Sequence, residues 1–176
     1  MSKGILCHNK MKASPHTSIA DIEVQKKRAK KVLPNGKQLH DYANLYLNGR
    51  NSMMYVSRAK HSDMCVLRLS TEILDLPNVV ITDKNASSDY VRFYDSPRGL
   101  EKINEKLVFA QSWYYPGDAF ETYKHGSIVC SEVLVPDKVL PEYIIGAIVS
   151  NTKVKTIMLN FMEDEDIIQD SKMFFQ

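Results

Sequence analysis

No apolar run in this 176-residue sequence approaches the roughly 20 residues that a membrane-spanning helix needs, and the N-terminus has no signal-peptide hydrophobic region. The chain therefore reads as cytosolic. Cysteine is scarce: Cys7, Cys65 and Cys130 are odd in number, widely spaced and set in apolar contexts, so they read as reduced core thiols. The histidines His8, His16, His40, His61 and His125 show no paired ligand spacing with them, and no metal site is expected. Glycine-rich phosphate loops are missing too. Without G-x-G-x-x-G, G-x-x-x-x-G-K-[ST] or G-x-S-x-G, Rossmann, P-loop and α/β-hydrolase chemistry drop out. Neither a glycosidase-type carboxylate pair nor the His/Glu/Lys cluster of a nucleic-acid-cleaving toxin is evident. No internal repeat and no Gly-, Ser- or Pro-rich linker divides the chain, so residues 1–162 read as one domain, with an acidic tail or helix at 163–176 belonging to it.

What is present is an ordinary globular balance with an uneven distribution of charge. Hydrophobic residues make up 44% and charged residues 25%, enough for a real core. The net charge of +2 hides 13 Lys/Arg against 4 Asp/Glu in residues 1–68, and 10 against 17 in residues 69–176. Such polarity suits an anionic partner for the front half, nucleic acid or a phosphate-bearing cofactor. Composition alone favours the plainer alternative, a solvated basic helix packed on an acidic body.

Ser18 to Val32 reads as a helix, with Ser18 as N-cap, Asp21 as its capping-box partner and the cations crowded at the C-terminal end. Pro34-Asn35-Gly36 breaks it. Beyond Leu39 the grammar is mostly β: strands at 44–47, 64–69, 78–82, 141–149 and 155–161, with 52–56 either strand or irregular wall. Helical turns are expected at 71–74 and loosely from 96 to 110. An aromatic loop or loop-helix follows at 111–126, holding the only Trp. The tail from Glu163 reads as a surface helix. Strands with peripheral helices make the class α+β.

The stretch Ser127–Pro136, bounded by Gly126 and Pro136, reads as a buried strand. Its period of two puts Ile128, Cys130, Glu132 and Leu134 on one face and Val129, Ser131, Val133 and Val135 on the other. A carboxylate on an apolar face needs a cationic partner or a task, and spacing leaves both open for Glu132. Arg50 carries the same ambiguity, since its planar fork suits either a pyrophosphate or Glu132. Both belong to a polar set that includes His8, Asn9, Asn48, Asp83, Asn85 and Arg92.

Several segments, in order from about Gly4 to Val149, resemble the DarT family. Asn44-Leu-Tyr-Leu-Asn-Gly-Arg-Asn-Ser-Met-Met-Tyr55 is similar to its N-L-Y-F-N-x-R-x-P-M-L-Y segment, with Ser52 in place of Pro. Val79–Tyr94 resembles V-x-T-D-x-N-A and the R-F-Y that follows it. Ser131-Glu-Val-Leu-Val-Pro-Asp-Lys-Val139 resembles A-E-[VF]-L-V-P-D-x-V, and Gly4-Ile-Leu-Cys-His-Asn9 resembles G-I-L-S-H-N.

The resemblance implies an ADP-ribosyltransferase-like fold with a central split, mostly antiparallel sheet, and a toxin that uses NAD as co-substrate, without a metal, to modify a base in single-stranded DNA. It implies a DarG-type macrodomain antitoxin as partner. Glu132 would be the catalytic glutamate and Arg50 the arginine completing the site. His8, Asn9, Arg50, Met54 and Tyr55 would hold NAD. The stretch between Asp95 and Ser131 would recognise DNA, with Trp113, Tyr114 and Tyr115 as stacking faces and Lys84, Asn85, Arg92, Lys124 and His125 as further contacts. Spacing alone leaves Trp113 equally well explained as a core or loop anchor. In the family a strand with a His-x-Thr-like motif and a helix precede the Gly-Ile-Leu segment; this sequence starts at Met1-Ser-Lys-Gly4 without them. A single-stranded-DNA-binding relative with little transferase activity is the second expectation.

Overall fold

The computed structural model describes residues 3–16 and 20–175. Its strands are β1 (Ile5–Leu6), β2 (Tyr42–Tyr46), β3 (Cys65–Leu69), β4 (Val80–Thr82), β5 (Phe93–Asp95), β6 (Glu132–Pro136), β7 (Lys138–Val139), β8 (Ile144–Val149) and β9 (Ile167–Gln169). The α-helices are α1 (His8–Met11), α2 (Ile22–Lys30), α3 (Ser52–Val56), α4 (Glu105–Val108), α5 (Ala119–Ile128) and α6 (Thr152–Met158). Short 3₁₀ turns fill several connections.

The β structure is split into a four-stranded antiparallel sheet in the order β2-β6-β4-β5 and a three-stranded one in the order β3-β8-β9, with β1 and β7 forming a two-stranded ribbon. Among the described residues only the β8–β9 pairing is parallel. The α+β, mostly antiparallel expectation therefore holds. Alternation along β6 sorts the core. Val133 and Val135 join Ala43, Ile73, Val79, Ile81 and Val139 on one face. Leu134 joins Leu33, Leu39, Tyr42, Val80 and Ala86 on the other. A third cluster, with Ala147, Val149, Val154, Met158 and Ile167, closes the second sheet. Gly4 opens β1 at φ +70°, where a Cβ would collide with the Val139 carbonyl, so glycine is required there.

Several local readings change. Strand β6 begins only at Glu132, because residues 119–128 form α5, whose start is capped by Asp118 accepting the Glu121 N–H at 2.9 Å. The β-branched Ile128-Val129 pair is too short to overrule a capped helix. Residues 155–161 were expected as strand; 152–158 form α6 instead, capped by Asn151 and burying Val154 and Met158 one turn apart against the second sheet. Residues 52–56 are helical, with Asn51 accepting the Met54 N–H. The tail is no helix: Ile167 is buried as β9 pairs with β8, between 3₁₀ turns. Asp21 is itself the N-cap of α2, accepting the Val24 N–H at 3.0 Å, while the proposed cap Ser18 lies outside the described residues. All three cysteines are free.

A cavity of about 710 Å³ lies between β2 and β3, walled by Leu45, Leu47, Met54, Leu67, Ile73 and Met173. Among the described residues β2 pairs only with β6 and β3 only with β8, so the cavity separates two unpaired sheet edges. Glu132 does not line it.

Candidate active site

Antiparallel register sets Tyr46 opposite Glu132 and Asn44 opposite Leu134, so Asn44, Glu132 and Leu134 share a face. Helix α2 lies over that face. Its outer side carries exposed Glu23, Lys26, Lys27 and Lys30, while Arg28 turns inward and is buried.

Glu132 is 0% exposed and receives four N–H donors. Arg28 forks onto it, Nη1 to Oε1 at 3.2 Å and Nη2 to Oε2 at 2.7 Å. Asn44 Nδ2 donates to Oε2 at 3.0 Å, and the Ala86 backbone N–H to Oε1 at 2.8 Å. The Glu132 N–H bonds Thr82 Oγ1 at 2.9 Å, and that hydroxyl donates to the Lys84 carbonyl at 2.7 Å. The desolvation cost of a buried carboxylate is thus met by charge-assisted bonds on both oxygens. Burial works against the Arg28 charge, but Glu132 more than offsets it and the guanidinium pKa is raised.

Secondary bonds hold this arrangement. Lys31 donates to the Ser88 carbonyl at 2.7 Å, tying the end of α2 to the loop that supplies Ala86. Gln25 on α2 bonds His40 Nε2 at 3.2 Å, and the His40 ring stacks on His8 at 4.0 Å. Burial, then His8 and Arg28, push the His40 pKa down to about 4. The His8 pKa is lowered by burial and then by Lys12.

The other expected site residues fall into separate groups. Asn9 donates to Asp41 at 2.8 Å, on the same N-terminal side as His8. Arg50 does not bond Glu132. Its Nε donates to the Lys172 carbonyl at 3.0 Å and its Nη1 to the Gln111 carbonyl at 3.1 Å, with the guanidinium 3.9 Å over the Phe175 ring. The reason is register: Tyr46 already faces Glu132, and a residue four positions further on has passed the end of the sheet. Trp113 and Tyr55 meet the same Phe175 at near-right angles, while Met54 is buried beside the cavity. Two contacts of these residues are now visible. The cation on Glu132 is Arg28, and Trp113 is half-buried in an aromatic cluster.

Among the residues expected to meet DNA, Tyr114 is well exposed and the Arg92 side chain is exposed. Lys84 lies 3.7 Å from Asp83, and Lys124 pairs with Glu121 at 2.8 Å. Asn85 turns inward to its own loop, accepting from the Ser87 N–H and hydroxyl, which aims the next N–H at Glu132. His125 is buried, bonded to the Leu107 carbonyl and the Tyr115 hydroxyl, and cannot meet a phosphate from there. Sequence reasoning missed Arg28 and Asn44, and it missed Phe120 and Tyr123, exposed one turn apart on α5. For Asn44 a signal existed: it is two residues from the partner of Glu132, hence on its face.

A split antiparallel sheet with a glutamate at the head of a central strand, pinned beneath an arginine, has the architecture of an ADP-ribosyltransferase fold. The family model described as ssDNA thymidine ADP-ribosyltransferase, DarT, matches residues 1–175, and the chain belongs to that family. A curated Thermosipho africanus relative, a DNA ADP-ribosyl transferase–DNA ADP-ribosyl glycohydrolase fusion protein, is 26% identical over 182 residues, covering 99% of this chain and 46% of its own length. The chain thus spans about half of that relative. Thermosipho africanus DarTG in complex with ADP-ribose superposes with a TM-score of 0.81 at 23% identity, covering 97% of this chain and 46% of that one. Thermus sp. 2.9 DarT in complex with ADP-ribosylated ssDNA does so with a TM-score of 0.79 at 21% identity, covering 98% and 87%. The same protein in complex with NAD+ gives 0.74 at 18%, covering 98% and 88%.

Proposed function

We propose that this chain is an NAD-dependent ADP-ribosyltransferase that modifies a base in single-stranded DNA, thymine by its family's description. The observation that carries the reading is the Glu132 carboxylate, fully buried and pinned by Arg28, Asn44 and Ala86 in a chain matched to the family from end to end. Breaking the nicotinamide–ribose bond sends the electron pair out with nicotinamide and leaves positive charge on the sugar. Glu132 sets a fixed negative charge against it, worth most in a site with little water. The base nitrogen then bonds the same carbon and loses a proton, for which Glu132 is the acceptor within the site. All of its acceptor directions are filled by N–H groups, so accepting that proton requires one donor to withdraw.

His8 and Asn9 on α1, with Arg50, Met54 and Tyr55 at and just before α3, are the groups assigned to the cofactor, and His8 is linked to the helix that carries Arg28 through His40 and Gln25. Tyr114, Arg92 and Lys124 are exposed groups assigned to the DNA strand, with Trp113 next to Tyr114 in the chain. The Thermosipho fusion supports a toxin opposed by a DarG-type glycohydrolase. No helix among the described residues is long and apolar enough to cross a membrane, and NAD and DNA as substrates fit action in the cytoplasm. The alternative reading is a single-stranded-DNA-binding relative with little transferase activity.

Incubation with labelled NAD and mixed-sequence single-stranded oligonucleotides separates the two. Label transfer that Glu132→Ala abolishes supports the enzyme. Folded wild-type protein that transfers nothing refutes it, and transfer undiminished in Glu132→Ala refutes the assignment of the catalytic residue.

A further inference from the structure

We propose that Asn44 is a positioning residue for the Glu132 carboxylate, a role that rests on Glu132 being the catalytic group. An ionised carboxylate has about four lone-pair directions, and here each meets an N–H. The four donors differ in how readily they can leave. The Ala86 N–H belongs to a backbone loop fastened by the Asn85 turn and by the Asn85 N–H bond to the Ser127 carbonyl at 2.8 Å. Asn44 projects from β2, whose ladder with β6 runs from Tyr42↔Pro136 to Tyr46↔Glu132, so its distance to Glu132 is set by sheet register. Arg28 reaches in from a separate nine-residue helix on a long side chain.

When substrate displaces an Arg28 hydrogen bond, Asn44 and Ala86 remain, one on each oxygen. Together they hold the carboxylate plane that the reaction uses. Asn44 acts through Glu132, to whose Oε2 its amide donates. An amide suits the position because it donates without charge, whereas a lysine would compete with Arg28 and a carboxylate would repel Glu132.

The test pairs kinetics with a pH profile, using labelled NAD and an oligonucleotide as substrates. Asn44→Ala is expected to lower kcat by about 10- to 100-fold, the loss of one hydrogen bond to a charged group, with KM for NAD within about threefold of wild type. Asn44→Asp keeps the volume and places a second carboxylate against Glu132. It is expected to be nearly inactive at neutral pH and to regain activity as the medium is acidified towards about pH 5, where the new acid becomes neutral and donates as the amide did. Arg28, Tyr46 and Cys130 are the titratable groups coupled to this carboxylate, and none of them is carboxylic.

Equal kcat in wild type and Asn44→Ala, while Glu132→Ala is dead, overturns the proposal and leaves the enzyme reading standing. An Asn44→Asp variant that melts like wild type but has the wild-type pH profile also overturns it. If wild type transfers nothing, or Glu132→Ala remains active, the reading beneath the proposal fails and the proposal goes with it.

Discussion

Arg28 and Glu132, 104 residues apart in the chain, share two hydrogen bonds of 3.2 and 2.7 Å where both side chains are almost wholly buried. Breaking such a pair leaves one charge buried and alone. Arg28→Ala is therefore expected to destabilise the fold by about 3–5 kcal/mol, read by urea denaturation. The double replacement Arg28→Met with Glu132→Leu should recover most of that loss while remaining inactive. A single variant as stable as wild type would show that the pair does not persist in solution.

Acid should weaken the protein through His40. Its pKa is about 4 in the fold against about 6.5 when unfolded, so the unfolded chain binds a proton that the native state refuses. The native state is favoured fully above the unfolded value, and stability falls as pH drops from about 6.5 towards 4. His40→Gln, which keeps an amide for Gln25, should flatten that part of the curve. Denaturation at pH 7 and pH 5 in both proteins measures it, and parallel losses would count against His40.

Arg50 should behave as a fastener. Arg50→Ala removes bonds to the Gln111 and Lys172 carbonyls and a ring contact with Phe175, for an expected loss of about 1–3 kcal/mol. Limited proteolysis should then cut sooner between residues 111 and 118. Arg50→Lys should not restore protection, since an ammonium cannot reproduce the planar fork. Unchanged proteolysis in Arg50→Ala would refute this role.

Trp113 and Tyr114 are neighbours with opposite expected phenotypes. Trp113 is half-buried against Tyr55 and Phe175, so Trp113→Ala should lower the melting temperature. Tyr114 is 68% exposed, so Tyr114→Ala should melt like wild type and weaken oligonucleotide binding by about 1–3 kcal/mol if it stacks on a base. Fluorescence anisotropy with a labelled oligonucleotide checks the second, and wild-type affinity would remove Tyr114 from the interface.

Much of the central sheet was legible from local pattern. Of the runs expected as strand at 78–82 and 127–136, Val80–Thr82 and Glu132–Pro136 are strand, with Glu132 at the head of the second, while Ser127 and Ile128 belong to α5. Helix α6 was not legible, because Ile157, Met158 and Leu159 look like strand until Asn151 caps them into a turn. Arg28 was hidden for a different reason. It sits in a run of five cations that the helix dipole explains as a group, and only the approach of a strand 104 residues away singles it out. Motif proximity drew Arg50 towards Glu132, yet sheet register carries it past. Pairings of that kind are properties of the assembled fold.

The segment from Lys172 to Phe175 has a practical consequence for anyone handling this protein. The Lys172 carbonyl holds Arg50, the Phe175 carbonyl bonds His61 Nδ1 at 2.9 Å, and the Phe175 ring braces Tyr55 and Trp113. A purification tag or reporter joined directly after these residues would pull on the wall of the aromatic loop. A long polar spacer after Phe175 keeps that strain out of assays of DNA binding.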